Sequence, residues 1–181
     1  MLLIDKDLIL RKLIPADAES IAKHANNFNV WINLTDAFPH PYALEDAEFF
    51  IDLQTEISPV EVWAIVYQEE AIGTIGFNTT EENGHIRREL GYWIGEAFWN
   101  KGIVTKAVKA VVDISFQMHP EMNEISAFVF SYNPASAKVL EKSGFLPDSL
   151  RYKTIQKAGK EESLLCYTIK RIHKNDGTGQ I

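Results

Sequence analysis

The sequence predicts an α/β protein of the α+β type, with about seven strands and about four helices around one core. Three observations carry that expectation. Short β-branched and aromatic runs recur, and two pairs of them are separated by only a few turn residues, as hairpin strands are. Between them stand segments with helical apolar spacing and recognisable start and stop residues. A strand-like run, Glu89 to Ile94, then feeds a glycine-bearing turn and a helix start at Gly102.

Leu8 to Ile14 reads as the first strand, and Pro15 with Asp17 opens a helix to Asn27. Residues 28–42 mix aromatics with Pro, Asn and Asp and read as an irregular loop. Leu44 to Ile57 is a second helix, with Leu44, Ala47, Phe50 or Ile51, and Gln54 on one periodic face. Val62 to Tyr67 and Ala71 to Asn78 form a hairpin, and Asn83-Gly84 signals a tight turn into a strand from Ile86 to Gly95. The helix from Gly102 runs to His119 and Pro120, with Val104, Val108, Val111 and Ser115 on its apolar face. Ile125 to Phe130 is a strand and Pro134 to Ser143 a helix, with Asn133 as N-cap and Gly144 at C′. Phe145 to Ile155 and Ser163 to Ile172 make a last hairpin. Residues 1–172 are expected to be a single domain, and 173–181 a polar, disordered tail.

At 181 residues one domain can bury a full core. The absence of a long apolar run excludes a membrane span, and the charged N-terminus is unlike a secretory signal. One cysteine, Cys166, makes an internal disulfide impossible and fits a cytoplasmic protein. The five histidines lack metal-ligand spacing, so no metal is expected. A net charge of −7 disfavours nucleic-acid binding and suits the steering of a cation. Residues 100–145 run against the trend, with Lys101 and Lys106 flanking the glycine turn.

A strand, a glycine-bearing turn and a helix start form a geometry that cradles phosphate. The first helical N–H groups have no intrahelical partner and the helix dipole adds partial positive charge. The run ELGYWIGEAFWNKG, continuing through Ile103, Val104, Thr105 and Lys106, resembles the phosphate-binding motif of the GNAT superfamily of N-acetyltransferases. That motif is Gln/Arg-x-x-Gly-x-Gly/Ala. Trp99 stands at its first position, as in the RimJ/RimL-like branch, and Val104 at its last. A second stretch, Ser131 to Phe145, is similar to the family's Asn-x-x-Ser-x-x-x-x-Glu-x-x-Gly-Phe segment. The resemblance covers roughly residues 8–172, including the Phe38 to Tyr42 loop.

The resemblance implies a mixed, mostly antiparallel, splayed sheet with acetyl-CoA in the opening. It also implies that Trp99, Asn100, Lys101, Gly102, Ile103, Val104, Thr105 and Lys106 hold the pyrophosphate. Backbone N–H groups around Trp93, Ile94 and Gly95 would polarise the thioester carbonyl, and Asn133 would lie beside the pantetheine. Many relatives place a Tyr acid at the position of Leu140; the RimJ/RimL-like branch offers a Ser, here Ser136, for the departing thiolate. Ser136 could equally bond helix-start backbone. Glu89 is the candidate base, directly or through water, or else a cross-strand partner of Arg87 or Arg88. Trp31, His40 and Tyr42 either wall the acceptor site or form a surface aromatic cluster.

The expected reaction is acetyl transfer from acetyl-CoA to a primary amine, the α-amine of a protein or peptide. An α-amine titrates near ~8 and a lysine amine near ~10.4, so an N-terminus needs only a modest base. Two alternatives stand beside it: acetylation of a small molecule (polyamine, amino acid or amine antibiotic) and non-catalytic acyl-CoA binding. Homodimers are common in the branch.

Overall fold

The computed structural model describes residues 1–82 and 85–171. Eight strands form one sheet: β1 (Leu2–Leu3), β2 (Leu8–Lys12), β3 (Val62–Tyr67), β4 (Glu70–Glu82), β5 (His85–Ile94), β6 (Glu124–Phe130), β7 (Leu146–Lys157) and β8 (Lys160–Lys170). Their spatial order is β1-β2-β3-β4-β5-β6-β8-β7. Every neighbouring pair is antiparallel except β5 and β6. Five α-helices accompany the sheet: α1 (Ala18–Ala25), α2 (Phe28–Trp31), α3 (Leu44–Thr55), α4 (Ile103–Met118) and α5 (Pro134–Lys142). None of the described helices is long and apolar enough to cross a membrane. The expected Asn83-Gly84 turn and the tail from His173 lie outside the described residues.

Two elements exceed the sequence expectation. β1 pairs Leu2 with Leu10 and Leu3 with Ile9, an edge contact too short to leave a period in the sequence. Within the expected irregular loop, Asn27 caps α2 by accepting from the N–H groups of Asn29 and Val30. The first expected helix begins as a 3₁₀ turn at Pro15–Asp17 before α1. There Asp17 accepts from the Ile14 N–H at 3.0 Å and from both terminal nitrogens of Arg11 at 2.7 Å.

Two cores lie on opposite faces of the sheet. α4 buries Ile103, Ala107, Val108, Val111 and Val112 against Leu90, Ile94, Ile125 and Ala127, the stripe its apolar spacing foretells. On the other face, α1 and α3 bury Ile21, Ala25, Ala47 and Ile51 against Ala64 and Val66. Arg88, 3% exposed, ties β5 to α4. Its guanidinium reaches Ser115 Oγ at 2.7 Å and Thr79 Oγ1 at 3.1 Å, ion-pairs with Glu61, and stacks 4.4 Å from the Phe77 ring centroid.

The β7–β8 hairpin turns through Ala158 and Gly159, both at positive φ, and docks on the segment after α2. Lys157, 2% exposed, places Nζ 3.5 Å from the Trp31 ring centroid and 2.9 Å from Asp36 Oδ1. That ion pair lies off the hydrogen-bond direction; the directed bond is from the Ala158 N–H to Asp36 Oδ2 at 3.0 Å. The Lys157 ammonium, then the Ala158 N–H, hold the Asp36 carboxyl below its ordinary range. A lowered folded-state pKa means the contact is complete above the ordinary value of ~3.9 and is lost as pH falls through the lower folded value.

Two outcomes are expected. Arg88→Ala should destabilise the fold by about 3 kcal/mol in urea titration, the low end for a broken buried pair because Glu61 keeps partial exposure; a loss under about 1 kcal/mol would contradict this network's weight. Asp36→Ala should speed amide exchange at Ala158 on the order of tenfold at neutral pH, the scale of one hydrogen bond. The unsubstituted tip should loosen only below about pH 4, and unchanged exchange in the variant would contradict the docking.

Candidate active site

The sheet opens between β5 and β6. Their parallel ladder consists of Arg88 with Ile125, Glu89 with Ser126, and Leu90 with Ala127, and then stops. β5 continues to Ile94 paired only with β4, while β6 continues to Phe130 paired only with β8. Backbone groups of β5 beyond Leu90 that point towards β6 therefore have no ladder partner.

Alternation identifies those groups. The Gly95 N–H donates to Ile72 O at 2.8 Å, so Gly95 points at β4. In an antiparallel ladder the orientation alternates, so Trp93 also points at β4, and Tyr92 and Ile94 point into the opening. The Ile94 carbonyl confirms the parity: it accepts from Trp99 Nε1 at 3.0 Å on that side. Of the three expected carbonyl donors, Ile94 presents its N–H to the cleft, whereas those of Trp93 and Gly95 are spent on β4. The Trp93 ring packs on the opposite face, edge-on to Phe38 at 5.5 Å.

The turn before α4 has the geometry of an anion cradle. Asn100 and Gly102 take left-handed φ of 61° and 73°, and a Cβ added to Gly102 would meet nothing within 4 Å. The backbone can thus be approached closely there. Helix bonding starts at Lys106 N to Gly102 O, 3.2 Å, which leaves the N–H groups of Ile103, Val104 and Thr105 at the open helix end. Ile103 is buried and Val104 packs on the core, so the valine side chain points away from the cradle. Lys101 Nζ lies 5.1 Å from the Phe98 ring centroid. Lys106 Nζ is engaged by Asp5 at 2.6 Å. That pair raises the lysine pKa and lowers the aspartate's.

Across the opening stands the start of α5. The Asn133 side chain accepts from the Ser136 N–H at 3.1 Å, the expected N-cap. The Ser136 hydroxyl is not used on helix-start backbone; its Oγ lies 2.9 Å from the Tyr92 hydroxyl. Leu140 is fully buried in the main core. Burial pushes the Tyr92 phenol up to about 12, with the Ser136 contact opposing. Sequence reasoning did not single out Tyr92. The signal was available in β5 parity, since Arg88, Leu90, Tyr92 and Ile94 share the α4 face and only Tyr92 carries a hydroxyl there.

Glu89, Gly91 and Trp93 occupy the other face. The carboxylate of Glu89 takes Lys153 Nζ from β7 at 2.5 Å, and that ammonium sits 3.9 Å from the Phe128 ring centroid. A Cβ on Gly91 would meet nothing within 4 Å, leaving open floor beyond Glu89. Trp31 and exposed His40 stack on one another at 5.2 Å between ring centroids. Tyr42 lies elsewhere: it is 6% exposed in the α1–α3 core behind Phe38. Burial, then Asp46, raise its phenol to about 12. A concavity of ≈ 370 Å³ on the far side of α5, lined by Asn133, Ala137, Glu141 and Tyr167, contains neither Ser136 nor any β5 residue.

A family model described as an acetyltransferase (GNAT) domain matches residues 7–146. The chain is 32% identical over 152 residues to the uncharacterized N-acetyltransferase YoaA of Bacillus subtilis (strain 168), covering 76% of this chain and 78% of that protein. Among solved structures it superposes on the microcin C7 self-immunity acetyltransferase MccE in complex with acetyl-CoA and AMP. The TM-score is 0.78 at 18% identity, over 93% of this chain and 94% of that one. RimL, the ribosomal L7/L12 α-N-protein acetyltransferase in complex with coenzyme A, gives a TM-score of 0.75 at 16% identity, over 93% and 97% of the two chains. Acyl transfer is the activity of this group, and the chain belongs to the GNAT family of N-acetyltransferases, with sequence relatives in its RimJ/RimL-like branch.

Proposed function

We propose that this chain transfers the acetyl group of acetyl-CoA to the α-amine of a protein or peptide in the cytoplasm. The observation that carries the reading is the opening beyond Leu90. It sets an unpaired Ile94 N–H and the Tyr92–Ser136 pair on the α4 side of β5, and Glu89 with the open floor at Gly91 on the other. A thioester threaded through the gap could be attacked from one face while its sulfur departs towards the other. The residues present fit the donor. Gly102 and the amides of Ile103, Val104 and Thr105 would hold the pyrophosphate, and Asn133 would flank the pantetheine arm. The donor supplies an activated acyl group; the chain supplies position and charge.

The Ile94 N–H would donate to the carbonyl oxygen as negative charge develops, a role whose removal in other enzymes costs about 10²–10³-fold in kcat. Ser136 would donate to the departing sulfur, whose thiol, with a pKa of about 8.5, requires only a weak donor. Glu89 would hold the cation or an ordered water, and the arriving amine would take over the place that Lys153 occupies. An acceptor carried on a peptide accords with the floor at Gly91 being open, and with RimL acting on the α-amine of a ribosomal protein.

Thiol release from acetyl-CoA over a panel of peptides and small amines tests the reading; peptides should be preferred, and turnover of small amines alone would replace it with the small-molecule reading. Within that assay, Glu89→Gln should depress kcat/KM most at low pH and recover as the amine deprotonates unaided. A wild-type-like pH–rate profile would remove Glu89 from the mechanism.

A further inference from the structure

Tyr92 reaches from β5 and Ser136 from α5, and they meet where the sheet has no ladder to hold its strands together. The phenol makes two contacts: Oη to Ser136 Oγ at 2.9 Å and Oη to the Ser136 carbonyl oxygen at 3.2 Å. One phenolic hydrogen cannot serve both fully. If it goes to the carbonyl, the serine hydroxyl donates back to the phenol and its hydrogen is withheld from the cleft. If it goes to Oγ, the serine hydrogen is free to point elsewhere, and the elsewhere is the opening.

We propose that Tyr92 is a positioning residue acting through Ser136: by donating to Oγ it aims the serine hydrogen at the sulfur leaving the acyl donor. The inference rests on the acetyl-transfer reading and adds a residue to it. In the step served, the nitrogen–carbon bond forms as the carbon–sulfur bond breaks. The sulfur departs with the bonding pair, and the amine, which has already lost its ammonium proton to water before attack, sheds one more proton to water. Ser136 stabilises the sulfur anion by a hydrogen bond, and Tyr92 keeps its own proton. Burial favours that outcome, since a phenol raised to about 12 remains a neutral donor across the physiological range. The Tyr92 ring packs on the main core, so removing the hydroxyl alone leaves the packing in place.

Tyr92→Phe should lower kcat about tenfold, the scale of one hydrogen bond, with KM for acetyl-CoA and the melting temperature nearly unchanged. A structural role would not move two further readouts. In a Ser136→Ala background, Tyr92→Phe should change kcat by less than about twofold, because residues acting as one unit are non-additive. By calorimetry above the thiol's ordinary pKa of about 8.5, the unsubstituted chain should bind CoA more tightly than desulfo-CoA, and both Tyr92→Phe and Ser136→Ala should erase that preference. Equal kcat losses in both backgrounds, or a preference for CoA that survives Tyr92→Phe, would overturn the inference. The calorimetry needs no amine acceptor, so its failure is separable from a wrong acceptor class. An unsubstituted chain that binds neither compound would sink the donor reading itself, and this inference with it.

Discussion

Everything proposed for the site depends on one interruption: the β5–β6 ladder ends at Leu90 and Ala127 while both strands go on. Unpaired strand edges normally close on one another, because buried amide groups without partners are costly. Here each strand is held by its outer neighbour. β4 grips β5 to its end, and the fit is close enough that a Cβ on Gly73 would fall 2.1 Å from the Trp93 carbonyl oxygen. β8 grips β6 as far as Phe130. The stranded backbone groups are partly satisfied by side chains, the Trp99 indole on Ile94 O being one. What remains unsatisfied is what a ligand can use.

The electrostatics of the two faces of β5 differ where this ladder ends. Where the ladder is intact, Arg88 is buried with a full set of partners and fastens the strand to α4. On the other face of the same strand, at the edge of the opening, Glu89 is half-exposed and held by Lys153, a contact that a ligand could replace. A rigid face and an exchangeable one suit a site that must stay in place while substrates pass.

Local patterns were legible in the sequence and tertiary partnerships were not. The α4 stripe and the Asn133 cap follow from spacing and residue type, and the structure places them as expected. The family resemblance offers Tyr42 as a wall of the acceptor site, with a surface aromatic cluster as the alternative. The burial of Tyr42 behind Phe38 depends on how α1 meets α3, which no local period encodes. Lys153 as the partner of Glu89 required knowing that β8 and β7 lie beyond β6 in that order. The role of Ile94 over Gly95 required the parity of one hydrogen bond, Gly95 N to Ile72 O. The Tyr92–Ser136 contact joins two segments read separately, a strand motif and a helix cap, and only the splay brings them together.

Residue-resolved amide exchange with and without acetyl-CoA tests the central claim most directly. The account predicts added protection at Ile94 and at Ile103, Val104 and Thr105, with Trp93 and Gly95 already protected by β4 and unchanged. Protection spread equally over Trp93, Ile94 and Gly95, or confined to the concavity beside Glu141 and Tyr167, would contradict it.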